Sequence, residues 1–199
     1  MSGSDGNLRE FLPNKMENSK KTNNAIPPDE KINRLIEHCR KGQYKEAEDL
    51  AIFITQHIPS HIMGWKALGF VLAQTGRISD ALFANEKAVA LSPQDAENHN
   101  ILGFTLRRLG KLIRAEKSFH QAIKLQPNLA EAHNNLGITL KELGRLKEAE
   151  VNLRKAIALK PAYANAHYNL GATLEELGNL KLAEISYKQA IAIQPNFAE

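Results

Sequence analysis

Proline recurs at Pro59, Pro93, Pro127, Pro161 and Pro195, once every 34 residues. Two glycine series keep the same step: Gly69, Gly103, Gly137 and Gly171, and Gly42, Gly76, Gly110, Gly144 and Gly178. Alanine does so twice more, at Ala47, Ala81, Ala115, Ala149 and Ala183 and at Ala88, Ala122, Ala156 and Ala190. A period of this length confines the chain to an array in which one supersecondary unit is reused and each copy covers the apolar face of the next.

Each unit carries its own helical logic. Ala132, Leu136, Gly137, Ile138, Leu140 and Leu143 form one stripe at helical spacing within Ala130–Leu143. Gly144 then ends the helix, because glycine takes the left-handed conformation of a C-terminal cap. Leu146, Ala149, Leu153, Ala156, Ile157 and Leu159 form a second stripe, closed by Pro161, which cannot continue the hydrogen-bond ladder. Gly137 and Ala149 are small where the two helices have to approach. The spacing predicts five pairs of antiparallel helices, at 28–61, 62–95, 96–129, 130–163 and 164–197.

The unit resembles the tetratricopeptide repeat. Trp65, Leu68, Gly69, Ala81, Ala88 and Pro93 carry the pattern in the second unit, Leu102, Gly103, Ala115, Phe119, Ala122 and Pro127 in the third, and Leu170, Gly171, Ala183, Tyr187, Ala190 and Pro195 in the fifth. The resemblance implies an all-α, right-handed α-solenoid of five stacked helix-turn-helix units over residues 28–199. The first unit departs from the pattern with Arg34-Leu35 in place of Leu-Gly, and reads as a capping-type repeat with a more polar outer surface. In the second, Asn85 replaces the aromatic residue, and Phe83 is expected to fill the space. Residues 195–199, PNFAE, open like a further unit, so the array is expected either to belong to a longer protein or to self-associate through its uncapped C-terminal unit. Residues 1–27 are polar and rich in Asn, Lys and Ser, and read as a flexible extension or one docked on the array through Phe11 and Leu12.

Several function classes fall away on composition. One cysteine, Cys39, permits no intramolecular disulfide and no four-cysteine zinc site. No run of 18 apolar residues occurs, so no membrane partner is expected, and the N-terminus lacks the apolar core of a secretory signal. A reducing, cytoplasmic setting follows as the expectation. His99, His133 and His167 recur at one place in successive units, the place Trp65 holds in the second, and so read as packing residues. Equivalent residues on helices ~8–10 Å apart do not converge on one metal. Paired carboxylates such as Glu175-Glu176 lie on helix surfaces, and neither a nucleophile with a base nor a phosphate loop is present. No catalytic residue, metal or cofactor is expected within the chain.

The resemblance implies that the first helix of each unit lines a concave groove. By position, the partner-binding candidates are Lys66 and Phe70 in unit two, Asn100, Phe104, Arg107 and Arg108 in unit three, Asn134, Asn135 and Lys141 in unit four, and Tyr168 and Asn169 in unit five. The carboxylate clamp known in the family is incomplete, because Phe70 and Ile101 stand where it has asparagines. Asn135 and Asn169, just ahead of Leu-Gly, resemble the asparagine ladder of the O-linked N-acetylglucosamine transferase repeats. An amide offers an acceptor and two donors, which suits capture of a peptide backbone. Unit three holds six Lys and Arg against two acidic residues, which points to an acidic partner. The net charge of +4 and the lack of interleaved aromatics argue against nucleic acid. The reading is therefore a non-catalytic scaffold for a protein or extended peptide. The alternative is the substrate-recruiting arm of a larger glycosyl-, sulfo- or methyltransferase.

Overall fold

The structure, a computed structural model, describes residues 28–195. The expectations for residues 1–27, and for residues 196–199, lie outside the described residues. Among the described residues the chain forms ten α-helices: α1 (Pro28–Arg40), α2 (Tyr44–His57), α3 (Ile62–Gln74), α4 (Ile78–Leu91), α5 (Ala96–Arg108), α6 (Leu112–Leu125), α7 (Ala130–Glu142), α8 (Leu146–Leu159), α9 (Ala164–Glu176) and α10 (Leu180–Ile193). They pack in consecutive pairs, α1 with α2 through α9 with α10. The first helix of a pair also touches its counterpart in the next pair at α1–α3, α5–α7 and α7–α9, so the odd-numbered helices lie on one side of an α-solenoid.

The turns inside the pairs follow one chemistry. At Gly110, φ is +69°, a conformation that costs an L side chain roughly 1–2 kcal/mol. It lets the Gly110 N–H donate to the Arg107 carbonyl and the Lys111 N–H to the Leu106 carbonyl, each at 2.9 Å, which satisfies two carbonyls that the helix leaves open. Helix starts are less provided for. Of α2 to α10, only α5 has a side-chain cap, with Asp95 accepting from the backbone N–H groups of Glu97 and Asn98. Helices of 13 and 14 residues are marginal in isolation, so packing holds most of them in place.

The packing rests on a small residue facing a large one. A Cβ added at Gly103 would lie 2.7 Å from the Phe119 ring, and one at Gly137 would lie 2.6 Å from Leu153 Cγ. Leu35 and Ala51 in the first pair occupy the positions of Gly103 and Phe119, two units earlier. Both are fully buried in the same cluster, so the large and small members have exchanged helices. The missing Leu-Gly of unit one is thus a swap of volume across the α1–α2 contact. In unit two, Asn85 itself packs against Gly69 and donates to Thr105 Oγ1 at 2.8 Å. Phe83 lies elsewhere, edge-on to the Trp65 ring at 5.9 Å, so it does not take the aromatic's place as expected from sequence.

The recurring His and Trp share one bond. Trp65 Nε1–H donates to the Pro59 carbonyl at 2.7 Å, and His99, His133 and His167 place Nε2 at 2.9, 3.0 and 2.9 Å from the carbonyls of Pro93, Pro127 and Pro161. These rings tie the starts of α3, α5, α7 and α9 to the proline turn before each.

Asn98 stands apart. It is 2% exposed, its Nδ2 reaches the Ala88 carbonyl only at 3.4 Å, and its Oδ1 has no hydrogen-bond partner among the described residues. Units two, four and five hold Gly64, Ala132 and Ala166 there. An unmet buried carbonyl costs about 1–3 kcal/mol, so Asn98→Ala is expected to raise stability by about 1 kcal/mol. A urea titration followed by circular dichroism checks this, and a lowered midpoint would show that the amide bond to Ala88 outweighs the orphaned oxygen.

Candidate groove

The odd-numbered helices enclose a concave cavity of about 640 Å³ that runs from α3 to α9. Of the residues expected to bind a partner, Lys66, Phe70, Asn100, Phe104, Arg107, Asn134, Asn135, Tyr168 and Asn169 line it, whereas Arg108 and Lys141 do not. Helical geometry accounts for this placement: Phe70, Phe104 and Ile138 are 34 residues apart, as are Asn100 and Asn134, and Asn135 and Asn169. Residues in register on stacked units make rows that run along the groove.

One row is made of amides. Asn135 Nδ2–H donates to Asn100 Oδ1, and Asn169 Nδ2–H donates to Asn134 Oδ1, each at 3.0 Å. The asparagines therefore first pair with one another, across α5–α7 and α7–α9. Asn100 and Asn134 are buried at 7% and 3% exposure and act as the fixed members. Asn135 and Asn169 are half-buried, and each keeps a carbonyl oxygen and a second N–H after the pair is made. Tyr168 takes the place of Asn100 and Asn134 in unit five, with its ring 5.5 Å from that of Tyr187.

A second row is apolar. Phe70 is 43% exposed, Phe104 39% and Tyr168 46%, with Ile101 and Ile138 between them on the cavity wall. Large exposed aromatics on a concave face are more informative than scattered surface leucines.

The charges around the cavity are matched. Arg107 donates to Glu142 at 2.8 Å and Lys66 to Asp95 at 3.3 Å, while Glu131 accepts from Lys160 at 2.9 Å. The Lys160 hydrogen bond holds the Glu131 carboxyl below its ordinary range. Burial, and then the Glu131 charge, pushes the Tyr163 hydroxyl up, so it stays a neutral donor at the rim. Lys141 is likewise bonded to Glu176 at 2.8 Å. The basic side chains that line the cavity, Lys66 and Arg107, thus already have carboxylates, whereas of the six basic residues of unit three these pairs include Arg107 alone. Tyr163, Thr105 and Asn85 also line the cavity and were not foreseen. Asn85 carried a legible signal, a polar residue at an aromatic packing position, whereas Tyr163 lies in the turn before α9 and has no counterpart series.

Among the described residues no group of three or more His, Cys, Asp or Glu could hold a metal, and no helix is long and apolar enough to cross a membrane.

With this geometry in view, the tetratricopeptide repeat family matches at residues 103–144, 139–178 and 164–197, the stretch where the sequence pattern is most regular. Residues 103–197 belong to the tetratricopeptide repeat family. No curated protein sequence matches it significantly. Solved structures share the fold. A crystal structure of MamA is 24% identical, with a TM-score of 0.72 over 81% of this chain and 95% of that one. MamA from Desulfovibrio magneticus RS-1 is 19% identical, with a TM-score of 0.75 over 86% and 97%. YrrB, described as a TPR protein with an unusual peptide-binding site, is 24% identical, with a TM-score of 0.69 over 84% and 86%.

Proposed function

We propose that this chain is a non-catalytic interaction module that takes an extended polypeptide segment into its concave groove. The observation that carries the reading is the pairing of two rows on one cavity wall: half-buried amides with unused donors and acceptors, and exposed aromatics beside them. Asn135 and Asn169 bond the backbone of the segment, while Phe70, Phe104 and Tyr168 hold its side chains. That a peptide-binding protein, YrrB, shares the fold is consistent with this use. The one cysteine, Cys39, fits a reducing, cytoplasmic setting. Self-association is a second contact. Leu180 and Ile191 of α10 are 66% and 46% exposed, whereas their counterparts Leu146 and Ile157 are half-buried.

The test is selection of peptides on the chain from a displayed random library, followed by titration of the selected peptide against the parent and the Asn135→Ala/Asn169→Ala variant. Losing two backbone hydrogen bonds of about 1 kcal/mol each weakens binding by about tenfold or more. Equal affinity for both chains would remove the amides from the mechanism, and failure to select any peptide would remove the groove.

A further inference from the structure

From the period of the groove we infer the conformation and chemistry of its occupant: an uncharged, proline-rich segment in the polyproline II conformation, with an apolar side chain at every third residue. The inference rests on the groove reading above and deepens it. Phe70, Phe104 and Ile138 present one apolar contact per unit, on successive odd-numbered helices. Packed helices stand ~8–10 Å apart, which is the step from Phe104 on α5 to Ile138 on α7, two helices in contact. A β-strand returns a side chain to the same face every two residues, roughly 6.6 Å, and so falls out of step within one unit. A polyproline II helix has three residues per turn and a rise of ~3.1 Å, which returns the same face after about 9.3 Å. Of the two extended conformations, only this one keeps step with the solenoid.

Three further observations agree. A polyproline II backbone has no internal hydrogen bonds, so its carbonyls need donors and its free N–H groups need acceptors. The unused groups of Asn135 and Asn169 supply both. Grooves that take this conformation are lined with aromatic rings, as this one is by Phe70, Phe104 and Tyr168. The charged residues in the lining are already bonded, Arg107 to Glu142, Lys66 to Asp95 and Glu131 to Lys160, so a neutral segment complements the surface and a charged one does not. The three helix steps from α3 to α9 correspond to about nine residues of ligand.

The experiment compares two labelled nine-residue peptides by fluorescence anisotropy, together with the library-selected peptide as a reference. The first repeats Leu-Pro-Ser; the second has the same composition with its three leucines two residues apart. The triplet peptide is expected to bind about tenfold more tightly, and Phe70→Ala and Phe104→Ala are each expected to weaken it about fivefold or more. Both rings are partly exposed, so these variants keep the fold, which circular dichroism verifies. Equal or tighter binding of the alternating peptide overturns the register while leaving the groove reading in place. Binding of the selected peptide alone, and of neither leucine peptide, does the same. If none of the three binds, both readings fall.

Discussion

Gly103→Leu is expected to destabilise the chain by about 3 kcal/mol, and Phe119→Ala introduced with it is expected to restore part of that loss. A Cβ at Gly103 would meet three ring carbons of Phe119 at 2.7, 2.8 and 2.9 Å, and that ring is fully buried, so it has no free volume to enter. The gain of about 1 kcal/mol in helix propensity on leaving glycine is too small to offset the overlap. Phe119→Ala alone opens a cavity and costs about 3–5 kcal/mol. The double variant reproduces the arrangement the first pair already uses, with Leu35 and Ala51 fully buried at the equivalent positions. Its loss should therefore be smaller than the sum of the single losses by about 2 kcal/mol, within the range seen for residues in contact. Urea unfolding of the three variants measures the cycle. Strict additivity would mean that the α5–α6 contact does not accept the exchange that α1–α2 shows.

The second large effect falls at Trp65. The ring is 4% exposed, packs edge-on against Phe83 and donates to the Pro59 carbonyl. Trp65→Ala loses the packing and the bond together and is expected to cost about 3–5 kcal/mol. Trp65→His gives up ring volume but keeps a donor where His99, His133 and His167 have theirs, so it should cost about half as much. Thermal unfolding of the two variants beside the parent decides the matter. If histidine proved no better than alanine, the bond to the proline carbonyl would contribute nothing and ring volume alone would explain the position.

The helices were legible because their signals are local. Gly144 and Pro161 mark the ends of α7 and α8, and Ala132, Leu136, Gly137 and Leu140 of the stripe are buried on α7. Ile138 and Leu143 are only half-buried, however, and the polar His133, Asn134 and Thr139 are buried beside the stripe. Most of the groove was legible too, since a residue that recurs every 34 positions recurs on the same helix face. Arg108 and Lys141 were placed in it by that reasoning and lie outside the cavity, Lys141 bonded to Glu176. The glutamates that neutralise Arg107 and Lys141 lie 35 residues further on, one step off the repeat, where no search for equivalent positions finds them.

The same offset of 35 joins the asparagines. From sequence, Asn134 and Asn135 read as two neighbouring ligands for a peptide, whereas in the fold they belong to different pairs, Asn134 with Asn169 and Asn135 with Asn100. By itself the sequence determined the repeat, the helix ends and the small-against-large contacts of the regular units, because these depend on spacing along one chain. Which polar groups are already satisfied, and which stay open for a partner, was decided only by the tertiary structure. That outcome depends on the offset between stacked helices, and the period leaves the offset unspecified.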